Sequence, residues 1–345
     1  MRKQAIVLMA VVAVAAMLLG SLTVGTSAQS RKTLTLIMPT TPPNLIHIPP
    51  WVALETGLFA KYGIDVRILT VESGAVAMRS LVGGRGEVHL AAPGVPPFLA
   101  LAAQGGEVKA VATYSMRHPV AMVVQPEIQS CQDLRGKKIG TPGGVGAYTE
   151  VMVRAFLQSC GLTPRDVQYV NIATGARVPA LLTAQIDGMP LHVDQVYEIQ
   201  KQKPSMRILG YLADILPKGW YAAYVTLFDV IRADPALIGN AVMALVEANR
   251  FIYQNPGKTL DIAVKYTKVD RDVLQKAYND YTRRGLWPVN EGLHPDLVEE
   301  GLTTEVNVGT IPANNKLKYE ELVQINFLKA AMTKLGRWTG DPRWY

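Results

Sequence analysis

Arrangements that support catalysis are nearly absent from this sequence. It contains no GxSxG elbow, no HExxH and no CxxC, and its five histidines, His47, His89, His118, His192 and His294, show no metal-ligand spacing. Neither an enzyme nor a metal site is expected. Cysteine is equally scarce: Cys131 and Cys160 are the only two, and Cys160 lies far in sequence from any histidine, which assigns it a structural role. Charged residues make up 18%, and basic ones cluster only briefly, at Arg135, Lys137 and Lys138 and at Arg283 and Arg284. Without a basic stripe interleaved with aromatics, nucleic acid is not an expected partner. Adjacent carboxylates such as Glu299 and Glu300 fit a solvated helix face.

What is present begins with a leader. Arg2 and Lys3 precede an apolar run from Ala5 to Leu19, and small and polar residues then end in Thr26, Ser27 and Ala28. This is the pattern of a secretory signal peptide, residues 1–28, cleaved after Ala28. The alternative is an uncleaved membrane anchor, since the run extended through Val24 is just long enough to span a bilayer. No cysteine lies near the leader to carry a lipid, so the expectation is a freely diffusing monomer in the periplasm and not a lipoprotein. The formal charge of +7 falls to about +5 without Arg2 and Lys3. That excess can draw an anionic solute, but it equally serves solubility. Export to an oxidising compartment favours a Cys131–Cys160 disulfide over two buried thiols, with a stabilisation of about 3 kcal/mol for so short a loop.

Beyond the leader the chain alternates strand and helix. Leu34 to Met38 reads as a strand, followed by the proline-rich loop TTPPNLIHIPP and a helix in which Trp51, Leu54, Leu58 and Phe59 recur at helical spacing as far as Gly63. Ile64 to Val71, Val88 to Ala92, Val108 to Tyr114 and Val120 to Gln125 are further strands, and the alternation implies a largely parallel sheet. A second block of the same kind runs from Lys138 to Leu212, and Tyr221 to Leu227 leads into long helices opened by Pro235, Asp270 and Pro295. A chain of this length exceeds what one core usually holds. The expected partition is residues 33–125 plus 226–345 as a discontinuous first lobe, with 126–225 as an inserted second lobe.

Several residues gather where open α/β sheets bind ligands, at one end of the strands. Ser73 and Gly74 follow a strand and start a helix, presenting a hydroxyl and free N–H groups. The phrase TGARVPALLTAQIDG echoes SGAVAMRSLVGGRGEVH, so each lobe presents a hydroxyl and a glycine at a helix start. The loop TPGGVGAYTE, from Thr141 to Glu150, places Gly144, Val145, Gly146 and Tyr148 between a strand and a helix. Its glycines let backbone approach an anion, although a plain strand-to-helix turn is the alternative. It is neither a dinucleotide fingerprint nor a Walker loop, so no cofactor is expected. Asn44 and His47 can donate into a cleft or simply be solvated. His192 and Asp194 are either an oriented pair or a helix cap, and Arg177 is a cation at a helix start that invites a compensating anion.

The phrases WVALETGLFAKYGIDVRIL, LVGGRGEVHLAAPG, DLRGKKIGTPGGVG, AFLQSCGLTPRDVQYV and ALLTAQIDG, in this order across Leu34 to Tyr253, give the chain a family likeness. It resembles the periplasmic solute-binding proteins of nitrate, sulfonate and taurine ABC importers, which share a fold with the binding proteins for thiamine-pyrimidine precursors. The resemblance implies a two-lobed α/β periplasmic binding protein fold of type II, with two hinge crossings and the helical C-terminal region packed on the first lobe. It also implies closure around one small organic anion or heteroaromatic solute, and delivery to a membrane permease with its ATPase. Carried over residue by residue, ligand contacts fall near Asn44 and His47, Ser73 and Gly74, Pro93 and Gly94, Gly144 to Tyr148, and His192 to Asp194. Aromatic walls are expected from Trp51, Tyr114, Tyr148 or Trp220. The same fold includes a eukaryotic pyrimidine synthase that has a cysteine-rich motif, which this chain lacks. A periplasmic sensor and a tripartite-transporter binding protein are further alternatives. The phrase GMPLHVD departs from the usual acidic-alanine phrase of the family, so no particular ligand is assigned.

Overall fold

The computed structural model describes residues 31–339 except 218, so the signal-peptide reading lies outside the described residues. Within this span two five-stranded sheets form, and each follows from its strand sequences. The strand β1 (Lys32–Pro39) is buried from Leu34 onward, as a parallel strand covered on both faces must be. Its neighbour β2 (Ile64–Val71) pairs with it in parallel from Lys32 opposite Ile64 to Pro39 opposite Val71. Being at the edge, β2 exposes much of its length.

The first sheet is completed by β3 (Leu90–Ala91) and β4 (Val108–Ser115). The second contains β5 (Val120–Val124), β6 (Lys138–Gly140), β7 (Gln168–Val170), β8 (Gly188–His192) and β9 (Arg207–Tyr211). The chain then returns to the first sheet as β10 (Ala222–Leu227). The orders are β2-β1-β3-β10-β4 and β7-β6-β8-β5-β9. Each sheet therefore repeats one plan: three parallel strands, then an antiparallel strand in fourth place that the chain supplies as it crosses between the sheets. The echo between the two halves of the sequence has this topology behind it.

Strand membership differs from the expected partition at both crossings. Residues 120–124, placed in the first lobe by a boundary at 125/126, pair with β8 and β9 of the second sheet. Conversely Ala222 and Tyr224, placed in the second lobe, pair with β4 of the first. An apolar strand carries no mark of which sheet it joins; that choice is made by the partner's hydrogen bonds. The crossings fall at Met116–Pro119 and just before Ala222.

One large hydrophobic cluster fills the first sheet and the C-terminal helices, including Leu245 and Ala248 of the helix Pro235–Gln254, and Tyr281 and Trp287. Two smaller clusters cover the two faces of the second sheet, one around Val151, Met152 and Phe156, the other around Leu181, Met189 and Ile199. The C-terminal helices do not serve the first sheet alone. In the helix Arg271–Arg284, Tyr281 Oη accepts a hydrogen bond from Val193 N of the second half at 3.2 Å. Elements expected from the sequence are present, with one split: Gly57, in the left-handed region at φ 73°, breaks the first helix into Pro49–Glu55 and Leu58–Lys61. A disulfide joins Cys131 to Cys160 and ties the start of a 3₁₀ turn to the end of the helix Tyr148–Ser159. Among the described residues, no helix is long and apolar enough to cross a membrane.

Candidate functional site

A cavity of about 40 Å³ lies between the facing ends of the two sheets. One side is built by the first half: Pro39 and Thr40 at the end of β1, His47 in the 3₁₀ turn Leu45–His47, Ser73 and Gly74, and Gly94. Pro142, Ala147, Tyr148, Thr149, Thr174, Arg177 and His192 come from the second half, and Tyr221 comes from the returning crossing. A single water needs roughly 10–15 Å³ of such space. The cavity therefore suits a solute of only a few non-hydrogen atoms.

Local sequence explains how each side chain gets there. Ser73 caps the helix Gly74–Gly83, its Oγ accepting from Val76 N at 3.3 Å, which leaves the first N–H groups of that helix at the cavity. Gly94 precedes Pro96 in the helix Val95–Ala103. Its φ of −62° suits any residue, so backbone strain does not require glycine there. Contact does: a Cβ at position 94 would stand 2.9 Å from Tyr148 Cβ. In the loop before Tyr148, Gly143, Gly144 and Gly146 all hold positive φ, between 76° and 84°, a conformation side chains disfavour.

Polar groups behind the cavity link the two halves. Asp194 Oδ2 accepts from Leu45 N at 3.0 Å and from Asn44 Nδ2 at 3.2 Å. The Asn44 amide turns its oxygen to Arg177 Nη2 at 3.4 Å, so one side chain of the first half stands between a cation and an anion of the second. Thr174 Oγ1 donates to the Glu72 carbonyl at 2.7 Å. These bonds hold the halves in a closed arrangement.

Electrostatics sharpen the picture. Arg177 is 2% exposed, and among the described residues its hydrogen-bond partners are Thr174 O, His192 Nδ1 and Asn44 Oδ1, none of them a carboxylate. These use three of its five N–H groups. Burial lowers its pKa to about 10, so it remains a cation near neutral pH. Burial, with Arg177 nearby, lowers His47 to about 3 and depresses His192 as well, so both imidazoles are neutral. Burial raises the Asp194 carboxyl, opposed by its bonds from Leu45 and Asn44. Tyr221 Oη sits 3.0 Å from Nε2 of both His47 and His192. Among the described residues, Glu72 is the one acidic residue on the lining, and it is exposed. A donor-rich cavity around a buried cation accommodates a small anion.

Of the residues expected from sequence, His47, Ser73, Gly74, Gly94, Tyr148, Arg177 and His192 meet on the lining. Asn44 and Asp194 stand directly behind it. Pro93 lies beside Gly74, and its carbonyl accepts from Ala223 N. Gly144, Val145 and Gly146 turn away from the lining, and Val145 is 87% exposed. Three aromatic residues pack elsewhere. Trp51 lies against Tyr266, with ring centroids 5.6 Å apart, and Trp220 lies edge-on to Phe98 at 5.9 Å. Tyr114 backs Tyr221, edge-on at 5.7 Å, and donates to Ala92 O. Tyr221 and Thr40 are lining residues that sequence reasoning missed, whereas Thr174 is the hydroxyl that opens the second-half echo. A detectable signal existed for Tyr221, since it immediately precedes the strand by which the chain returns to the first sheet.

Two α/β sheets of identical order, bridged by two crossings and closed over a cavity, make this the periplasmic binding protein fold. The chain belongs to the NMT1/THI5-like family, whose model matches residues 44–259. A Brucella abortus chain named as a binding protein is 28% identical over 225 residues, 65% of this chain and 69% of its own length. The taurine-binding periplasmic protein of Escherichia coli K12 is 29% identical over 230 residues, with the same coverage. A 4-amino-5-hydroxymethyl-2-methylpyrimidine phosphate synthase of Uromyces fabae is 29% identical over 161 residues, 45% of each chain. Among solved structures, the periplasmic nitrate-binding protein NrtA of Synechocystis superposes with a TM-score of 0.73 over 89% of each chain, at 14% identity.

Proposed function

We propose that this chain is the extracytoplasmic substrate-binding component of an ABC importer. It closes its two halves over a small organic anion of the carboxylate or sulfonate type and delivers it to a permease and its ATPase at the inner membrane. The observation that carries this reading is Arg177: a buried cation on the cavity wall with two uncommitted N–H groups and no carboxylate bonded to it. Asp194, reached through Asn44, and Glu72 favour its charge only from a distance, and a bound solute supplies an anion in direct contact. The cavity volume supports the small-anion class over the heteroaromatic class. Family membership and relatives named as binding proteins point the same way. The protein works as a freely diffusing monomer in the periplasm.

An enzymatic role of the pyrimidine-synthase type has weaker support. The matching synthase aligns with less than half of this chain, and both cysteines are committed to the disulfide. Native mass spectrometry of protein purified without dialysis tests the binding role. Retention of one small anion per chain is the expected result; time-dependent loss of a histidine would favour the enzyme instead.

A further inference from the structure

The helix Pro295–Asn307 packs with the first sheet through Val298, yet its end is built into the second half. Val308 lies in the apolar cluster around Val151, Met152 and Phe156, whereas nearby Ile311 lies in the large cluster of the first sheet. Gly309, at φ 77°, makes the turn between them, which Thr310 N and Ile311 N close by donating to Glu305 O at 2.8 and 3.3 Å. The helix Tyr148–Ser159 grips this end: Arg154 Nη1 donates to Val308 O at 3.1 Å, and Gln158 Nε2 to Asn307 O at 3.2 Å. Arg154 also donates to both oxygens of Glu150, at 2.6 and 2.9 Å, and Glu150 Oε2 accepts from Gly146 N of the glycine-rich loop at 3.0 Å. The helix end is thereby linked to the loop beside the cavity.

Glu305 is 2% exposed at this contact, and its Oε2 has no hydrogen-bond partner among the described residues. Glu150, Arg154 and Tyr148 face it from the second half. Tyr169 bears on Glu150 and Arg154 only. The packed helix Val95–Ala103 carries no titratable residue, and Tyr319, Glu320 and Glu321 of the helix Tyr319–Leu322 do not bear on Glu305. Among the described residues the contact therefore holds two carboxyls and one cation, and that cation bonds Glu150 and not Glu305. Its charge balances when Glu305 keeps a proton. We infer that residues 305–311 form a latch holding the two halves closed, and that the latch weakens when Glu305 loses its proton. Which solute the cavity takes does not enter. Burial, with Glu150 nearby, pushes the Glu305 carboxyl up to about 7, against Thr310 and Arg154. When the halves part, water reaches it and it returns toward 4.5. Closure thus takes up a proton, and the closed arrangement weakens as pH rises from about 4.5 through about 7 and levels off above.

Amide hydrogen exchange, read by NMR on the full protein, tests this. Protection of Thr310 N and Ile311 N reports the latch, and protection of Leu45 N, which donates to Asp194 across the halves, reports closure. Comparing variants at one pH cancels intrinsic exchange and the opposite titration of His47 and His192. Glu305→Gln is expected to raise protection at all three amides by about 10-fold or more at pH 8, and by less than about 5-fold at pH 5. Arg154→Gln is expected to lower it by about 3-fold or more at both. No gain in Glu305→Gln at pH 8, or an equal gain at the two pH values, overturns the role of the proton. A change confined to Thr310 and Ile311, with Leu45 unmoved in both variants, overturns the latch. Should Arg154→Gln fail to fold, Glu305→Gln decides both points alone.

Discussion

Gly94 and Tyr148 belong to opposite halves of the molecule and touch so closely that a Cβ on Gly94 would stand 2.9 Å from Tyr148 Cβ and 3.2 Å from its Cγ. The φ of −62° at Gly94 is open to every residue, so the glycine is demanded by the approach of the two halves. Gly94→Val is thus expected to leave each half folded while propping the cleft open. Small-angle scattering should report a larger radius of gyration in the presence of solute, and calorimetry a loss of affinity of about 10-fold or more, with little change in Tm. Unchanged affinity would show that this contact is incidental to closure.

A second contact between the halves titrates. Glu305, at the end of the helix Pro295–Asn307, is 2% exposed and faces Glu150 and Arg154 of the opposite half, and burial pushes its carboxyl up to about 7. A carboxyl raised by folding binds its proton more tightly in the native state. Its contribution is therefore present at low pH and is lost as pH rises from about 4.5 through about 7. The full effect is roughly 3 kcal/mol. Glu305→Gln should raise stability at pH 8 by about 1–3 kcal/mol and change it little at pH 5, as read by urea unfolding at both pH values. An equal effect at both would remove the titration from the explanation.

His47 and His192 act in the opposite sense. Folding lowers their pKa values, His47 to about 3, so the unfolded chain takes up protons that the folded chain refuses. Their stabilising contribution is complete above about 6.5 and is lost as pH falls toward 3. His47→Gln should flatten the acid limb of a Tm-against-pH curve between pH 6 and 4. A slope identical to that of the unmodified protein would assign the acid sensitivity to carboxylates.

The Cys131–Cys160 disulfide closes a loop with a sequence separation of 29, worth about 3–4 kcal/mol by loop entropy. It lies in the second half, joining a turn before β6 to the end of the helix Tyr148–Ser159. Its reduction should lower the unfolding midpoint while leaving solute affinity within about 2-fold. A large loss of affinity on reduction would place that helix in the closure mechanism itself.

Most of the fold was legible because β1, β2 and the proline-capped helices carry period and cap signals within a few residues. The crossings were not. Val120–Val124 is apolar on both faces, and local sequence cannot say which sheet a fully buried strand will join. The site was legible where backbone chemistry shapes it, at Ser73, Gly74 and Gly94. It was less so where rings are involved, because one residue of offset reverses the face of a strand. Trp220 and Tyr221 are neighbours, yet Trp220 packs on Phe98 while Tyr221 reaches the cavity. Trp51 shows the related ambiguity of a helical aromatic, which the packing of its helix against Tyr266 resolves in favour of the core.

The central claim, that a small anion is held between the halves by Arg177, is tested most directly by titration calorimetry of the unmodified protein and Arg177→Gln. Acetate, methanesulfonate and taurine at constant ionic strength are the ligands. The expected result is one-to-one binding of at least one of them, weakened by about 100-fold or more in Arg177→Gln at a Tm that shows the variant folded. Binding of the same strength in the variant, or no binding of any of these anions to the unmodified protein, would contradict it.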